Sequence, residues 1–353
     1  MQRSELRKTK KSKKRKILYS ILIILGSFLI LSATYAVYLG KKAEIAANQS
    51  FEQLENRESG SDLREEDVEP LEDNVSILLI GIDDSEKRDF GDGNSRSDSL
   101  MVATLNNKDK SVKLVSIPRD TYTYIPEVGY NDKITHAHAY GGTVAAIESV
   151  ENLLDIPIDY YVRMNFEAFI DVVDALDGVV VDVPYDHLEL DENDEYTIQL
   201  EEGRQLLDGR EALALARTRK LDNDIERGKR QQKILESLIR RAASVQSFGK
   251  YGDVIEALGN NIRTDLTFDD MMSFLKYLNN GTPDIETISI AGYDDMSTGT
   301  YYWQLDEAEL ETTKEMLKSH LELPGYTYTR PSETEDLNGD GIPDSEAETE
   351  EQP

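Results

Sequence analysis

The chain contains no cysteine. Neither a disulfide framework nor a thiolate metal site is therefore available to it. Histidine is scarce as well, with four in all. His136 and His138 form a His-x-His pair, but no third nitrogen or thiolate ligand lies near them, so zinc is not expected and both read as loop or packing residues. His187 and His320 carry no signal. Positive charge is outnumbered, 39 Lys and Arg against 69 Asp and Glu, for a formal net charge of -30. An acidic body of this kind repels phosphate backbones, which argues against nucleic acid as a partner. No internal repeat is visible, and the 39% hydrophobic content suffices for a packed core.

What is present begins with an asymmetry. Residues 1–16 hold nine basic side chains, from Arg3 to Lys16, against Glu5 alone, so the acidity belongs to the rest of the chain. From Ile17 to Leu39 no charge occurs. At about 1.5 Å per residue such a helix crosses a hydrocarbon core of about 30 Å. The spacing predicts a transmembrane helix over 17–39, with residues 1–16 as a cytoplasmic basic tail held to anionic lipid and the remainder extracytoplasmic. Thr34-Tyr35-Ala36 offers a weak alternative as a cleavage site, but the apolar stretch is long for a signal peptide. Residues 40–73 are polar and Glu-rich and read as a stalk. The folded domain is expected over 74–323.

Within that domain strand-like and helix-like segments alternate. Strands are expected at Val75–Ile82, Ser99–Leu105, Val112–Ile117, Tyr160–Met164, Val179–Val183 and Thr287–Ala291. Helices are expected at Thr143–Leu154, Phe166–Leu176, Arg210–Arg217, Glu226–Ala243 and Asp306–Leu321. This alternation predicts an α/β fold, a central mixed β-sheet covered by helices. Residues 324–353 form an acidic tail. Within it Asp336, Asn338, Asp340 and Asp344 follow the opening of a calcium loop, with Gly341 for the turn, but Ala347 stands where a loop-closing Glu belongs. Calcium binding and a plain solvated tail both remain open for it.

Three stretches carry the chemistry. The first is Val75–Asp83 (VSILLIGID), then Arg96-Ser-Asp98-Ser-Leu-Met-Val, then Ser116-Ile-Pro-Arg119-Asp120-Thr121. A later segment runs Ala214-Leu-Ala-Arg217-Thr-Arg219 and on to Asp224-Ile-Glu-Arg227-Gly-Lys-Arg230-Gln231-Gln232. Asp83 follows one predicted strand and Asp98 precedes another, and in open α/β sheets ligands gather outside the carboxyl ends of strands. Two carboxylates there can share one hard cation, magnesium or manganese, with water and phosphate oxygens completing the shell. Either Asp alone reads as a turn or cap residue. Arg96, Arg119, Arg217, Arg219 and Arg227 supply guanidinium forks that match phosphate oxygens. Asp224, Arg227 and Gln231, at i, i+3 and i+7, share one helical face, which by itself also fits a solvated Asp–Arg pair.

Taken in order, these stretches resemble the LytR-CpsA-Psr family over about residues 75–323. The resemblance implies metal ligation by Asp83 and Asp98, and contacts to a lipid-linked pyrophosphate from Arg96, Arg119, Arg217, Arg219, Arg227 and Gln231, with Asp224 orienting the arginines. Lys133 matches a further lysine of the family and is implied as a phosphate contact. The polyprenyl tail of the substrate is expected between sheet and helices, near Ile170, Val173, Leu176 and Leu235, although core packing calls for the same residue types. The implied activity is transfer of a glycopolymer from a polyprenyl-pyrophosphate carrier to peptidoglycan, with Arg119, Asp98 and Asp224 as catalytic candidates and Asp98 or Asp224 as the base. A polyprenyl-pyrophosphate hydrolase and a non-catalytic wall- or lipid-binding regulatory module are the competing functions.

Overall fold

The structure is a computed structural model of the 353-residue chain. It describes residue 25 and residues 27–28, and residues 31–326 apart from 56, 58–59, 65–67, 71, 83–94, 219–223, 245–253, 255–258, 260–261 and 280. Asp83, Arg219, Asp336, Asn338, Asp340 and Asp344 lie outside the described residues, as does much of the expected membrane span. Among the described residues no helix is long and apolar enough to cross a membrane.

Runs of β-branched and aliphatic residues build the central sheet. Its strands are β1 (Val75–Ile82), β2 (Ser97–Asn106), β3 (Ser111–Ile117), β6 (Tyr160–Met164), β11 (Ile262–Thr264) and β12 (Asp284–Ser289), in spatial order β11-β6-β1-β2-β3-β12. The β1–β2, β2–β3 and β6–β11 pairs are antiparallel, whereas β1–β6 and β3–β12 are parallel. The sheet is therefore mixed, as expected. Because side chains alternate along a strand, each central strand feeds two cores. Leu78, Ile80 and Ile82 point to one face, with Leu100, Val102, Val115 and Ile117. Leu79, Met101, Ala103, Val112 and Leu114 point to the other.

Helix α2 (Thr135–Leu154) and helix α7 (Glu307–His320) cover the first face through Ile147, Val150, Leu154 and Leu317. The second face receives α5 (Asp224–Ser244) and α6 (Phe268–Asn279), with Leu235, Ile239 and Tyr277 against the strands. Gly228 allows that approach, since a Cβ there would stand 2.7 Å from the Ser116 hydroxyl of β3. Beside this body a second core joins α3 (Phe166–Ala175) and α4 (Gly209–Arg217) to the antiparallel pair of β7 (Val179–Val183) and β10 (Gly203–Leu207). Helix α4 is closed at its start by a capping box of Asp208 and Glu211, which satisfies two amides otherwise left without partners. Two-stranded pairs complete the fold: β4 (Tyr122–Ile125) with β5 (Tyr130–Lys133), β8 (His187–Leu190) with β9 (Tyr196–Leu200), and β13 (Gly292–Asp295) with β14 (Tyr302–Leu305).

The structure departs from the sequence reading in several places, and the strand expected at Thr287–Ala291 is one of them, running from Asp284 to Ser289. Residues 31–50 are helical (α1), and Ala43, Ala46 and Ala47 are buried against Leu266 and Met271. Arg57 pairs with Glu151 at 3.1 Å and Arg64 with Asp159 at 2.7 Å. The segment expected as a separate stalk over 40–73 thus packs on the body, because small alanines bury without the large apolar stripe that periodicity detects. Helix α2 begins eight residues before the expected Thr143 and breaks its helical angles at Gly141 and Gly142. His136 and His138 consequently lie on a helix instead of a loop. His136 Nδ1 sits 2.7 Å from Asp132 and His138 Nδ1 2.7 Å from the Ser95 carbonyl.

Candidate functional site

A cavity of about 830 Å³ opens between β1 and β2 on one side and α3, α4 and α5 on the other. Its bore is apolar, formed by Leu79 and Met101 of the sheet and by Phe169, Leu213, Ile234, Leu235 and Leu238 of the helices. Its mouth is polar, with Arg96, Asp98, Arg119, Arg217, Arg227 and Gln231. The size lies within the ~300–1,000 Å³ of small-molecule clefts, and the division of linings suits a long apolar ligand with an anionic head. Of the expected tail contacts, Leu235 lines this bore. Ile170, Val173 and Leu176 do not: Val173 packs in the α3–α4 core, and Phe166 and Phe169 are the α3 side chains that reach the cavity. Which face of α3 turns inward depends on how α4 docks, and Gly209 sets that contact, since a Cβ there would fall 2.4 Å from the Ile170 carbonyl oxygen.

The polar mouth is assembled from distant segments. Asp98, at the start of β2, accepts from Arg119 Nη1 at 2.6 Å just beyond the end of β3. Arg227 of α5 donates to the Asp98 carbonyl at 3.2 Å and pairs with Asp224 one turn earlier at 2.7 Å. The Arg119 amide points to Asp224 Oδ2 at 3.4 Å. Asp224 therefore does face the arginines, and the shared helical face of Asp224, Arg227 and Gln231 is turned inward instead of toward solvent. The Arg227 side chain is only 8% exposed. Among the described residues, Arg119 Nε and Arg227 Nε are buried without an acceptor. Burying a guanidinium N–H without a partner is costly, so two such groups beside one mouth form a receptive seat for an anion.

The remaining expected contacts differ in kind. Arg217, at the end of α4, lies over the Phe166 ring at 4.5 Å, pairs with Asp194 at 2.7 Å and donates to the Asp191 carbonyl at 2.8 Å. Asp191 anchors that loop: burial would raise its pKa, but Thr197, the amides of Glu195 and Asn193, and Arg210 bring it below the usual carboxylate range. Arg96 stands exposed at the mouth. Gln231 accepts from the Ser99 hydroxyl at 2.9 Å and donates to the Ala216 carbonyl at 3.2 Å, so it ties β2 to α4. Lys133 lies outside this lining. It pairs with Asp120 at 2.7 Å and sits over the rings of Tyr301 and Tyr302.

Sequence reasoning missed two residues. Ser99 lines the cavity and orients Gln231. Arg230 is buried and donates to the carbonyls of Leu215 and Thr218, holding the end of α4 beside Arg217. The inward face of α5 was visible at i, i+3 and i+7, but Arg230 falls off that face and only packing reveals its work.

Fold and site together define an α/β protein with a greasy cavity closed by guanidinium groups, a shape suited to an amphiphilic anion. The chain belongs to the LytR_cpsA_psr family, whose family model matches residues 37–319. It is 37% identical over 322 residues to the polyisoprenyl-teichoic acid–peptidoglycan teichoic acid transferase TagT of Bacillus subtilis, covering 90% of this chain and 99% of that protein. A solved structure of TagT bound to LIIa-WTA aligns with a TM-score of 0.67 at 37% identity, over 76% of this chain and 98% of that one. A second, of TagT with bound octaprenyl pyrophosphate lipid, aligns with a TM-score of 0.62 at 35% identity, over 76% and 98%.

Proposed function

We propose that this protein is a phosphotransferase that moves an anionic glycopolymer, such as wall teichoic acid or capsule, from a polyprenyl-pyrophosphate carrier to peptidoglycan. The observation that carries the reading is the apolar cavity ending in Asp98, Arg119 and Arg227. The relative TagT supports it, since it is named for this transfer and one of its structures holds octaprenyl pyrophosphate lipid.

In this reading the bore takes the prenyl chain and the mouth takes the diphosphate. A hydroxyl of the peptidoglycan glycan attacks the phosphorus that bears the glycopolymer. The bond from that phosphorus to the bridging oxygen breaks, and polyprenyl phosphate leaves with the electron pair. The hydroxyl proton passes to a carboxylate, Asp98 or Asp224. Arg96, Arg119, Arg217, Arg219 and Arg227 hold the phosphate oxygens and offset the charge that gathers on the leaving group. Gln231 and Ser99 keep α5 and β2 in register.

Asp98 and Asp83 are oxygen donors of the kind a hard divalent cation takes. Asp98 is about one-third exposed at the mouth, at 32%. Among the described residues no cluster of three candidate ligands surrounds it. Magnesium bound through one or two carboxylates and substrate phosphates needs no such cage. Asp98 and Asp83 would hold the ion, which supplies charge neutralisation to the diphosphate when bound. Residues 17–39 would anchor the protein with residues 1–16 in the cytoplasm and the catalytic body outside, and the tail at Asp336–Asp344 remains a candidate calcium loop.

A reconstituted assay tests the reading with a defined lipid-linked donor and peptidoglycan oligomers, with magnesium present or chelated. Glycopolymer is expected on peptidoglycan only with the acceptor and the ion. Equal release of lipid phosphate without acceptor would replace the transferase with a hydrolase.

A further inference from the structure

A second cavity of about 370 Å³ lies beside the first, on the far side of Asp224. Its walls include Pro118, Asp120, Asp224, Tyr293, Tyr301 and Trp303. The β13–β14 hairpin supplies the aromatic side. That hairpin is fastened to the strand-end loop that carries Arg119, because the Trp303 amide donates to the Asp120 carbonyl at 2.8 Å and Trp303 bridges Thr121. Tyr293 is 62% exposed. We infer that this aromatic and carboxylate cavity seats a sugar ring of the acceptor glycan, resting on the transferase reading for the identity of that glycan.

Three observations select a neutral, hydroxyl-rich ligand. The faces of aromatic rings carry negative partial charge and attract the weakly positive C–H face of a pyranose. Carboxylates accept hydrogen bonds from hydroxyls. Those carboxylates also disfavour a second anion: Asp120, Asp224 and Asp294 all line the cavity, and phosphate would meet like charge on three sides. Each is already held in place, Asp120 by Lys133 at 2.7 Å, Asp224 by Arg227 at 2.7 Å and Asp294 by the Tyr301 hydroxyl at 2.8 Å. Burial, together with Asp294, holds the Tyr301 phenol protonated well above its usual range, so it remains a donor.

The location adds a chemical reason. Displacement at phosphorus runs in line, with attacking and leaving oxygens on opposite sides. The first cavity takes the leaving polyprenyl phosphate, so the attacking hydroxyl must arrive from elsewhere. Asp224 lies in the wall of the second cavity, pairs with an arginine of the first, and meets the Arg119 amide at 3.4 Å. A sugar seated on Tyr293 and Trp303 would present a hydroxyl toward that boundary.

Trp303 is the only tryptophan of the chain, so its fluorescence reports on this cavity without any turnover. The full chain in detergent micelles is titrated with an oligosaccharide of alternating N-acetylglucosamine and N-acetylmuramic acid whose muramic carboxyl groups are capped as amides, so that the probe is neutral. A saturable change is expected, with affinity falling about tenfold in Tyr293→Ala, the loss of one stacking contact, and recovering in Tyr293→Phe. Inorganic pyrophosphate should not compete. In the transfer assay Tyr293→Ala should raise the KM for acceptor about tenfold and leave the KM for donor unchanged. A silent titration, equal affinity in Tyr293→Ala, competition by pyrophosphate or an altered donor KM each overturns the assignment. Saturable, Tyr293-dependent binding by a protein that transfers nothing would keep the sugar site and remove the transferase reading instead.

Discussion

Asp98 Oδ1 and Arg119 Nη1 stand 2.6 Å apart at the mouth of the larger cavity, although 21 residues separate them in the chain. Antiparallel pairing of β2 with β3 sets the two strands side by side, and the mouth lies where β2 begins and β3 ends. Both side chains keep some access to solvent, at 32% and 21%. A pair this open adds about 1 kcal/mol or less to stability. Its geometry therefore matters more for a bound anion than for the fold.

Arg119→Ala and Asp98→Ala should each remove transfer while leaving the melting temperature close to that of the parent. Loss of one preorganised charge at a phosphoryl centre costs on the order of 10²–10³ in kcat. Single-turnover rates with a lipid-linked donor, beside thermal denaturation, check this. Near-parental transfer by both variants would contradict the assigned roles.

Arg227 differs because it is buried and serves two partners, Asp224 and the Asp98 carbonyl. Arg227→Ala should lower stability by about 1–3 kcal/mol as well as donor affinity, since it removes the cationic partner of a half-buried carboxylate and a donor to a carbonyl. Arg227→Lys keeps the charge but loses the planar fork, so stability should recover more than donor binding. Urea denaturation and equilibrium binding of a polyprenyl pyrophosphate separate the two effects.

Leu235→Trp should narrow the bore. Binding of a long polyprenyl pyrophosphate is expected to weaken while a short-chain analogue with the same head group binds as before, because the mouth is untouched. Isothermal calorimetry with two chain lengths measures the contrast, and equal loss for both would place the tail elsewhere.

Asp265 carries a pH signature. Burial pushes its carboxyl up to about 7, against hydrogen bonds from the Tyr161 amide and its own. The unfolded chain releases this proton near pH 4. Between about pH 4 and 7 the folded state thus holds a proton that the unfolded state has lost, and stability from this group falls as pH rises through that window. Asp265→Asn keeps the oxygen that accepts from Tyr161. It should melt higher than the parent at pH 8, by roughly 2–4 °C per kcal/mol recovered, and match it at pH 4. Thermal melts at both values decide the point.

Much of the fold was legible because its strands are long apolar runs. Val75–Ile82, Tyr160–Met164 and Val179–Val183 occur with the expected bounds. The short hairpins were not legible. Tyr130–Lys133 and Gly292–Asp295 alternate no apolar residues, and only pairing across a turn makes them strands. Helix α6 was overlooked although Phe268, Met271, Met272 and Leu275 recur at helical spacing. The continuation of the N-terminal helix over residues 40–50 was hidden for another reason, since alanines bury by closeness rather than by size.

The sequence alone determined the mixed α/β class, the family, and the set of arginines and carboxylates available for an anionic ligand, because apolar periodicity and an ordered series of motifs are local properties. Only the tertiary structure decided which of them meet. It brought Asp98, Arg119 and Arg227 to one mouth with Asp224 at its boundary, put Lys133 beside a separate aromatic cavity, and turned Phe169 rather than Ile170 into the bore. Those outcomes depend on strand order and on how closely α4 and α5 dock, contacts between segments far apart in the chain that no local pattern encodes.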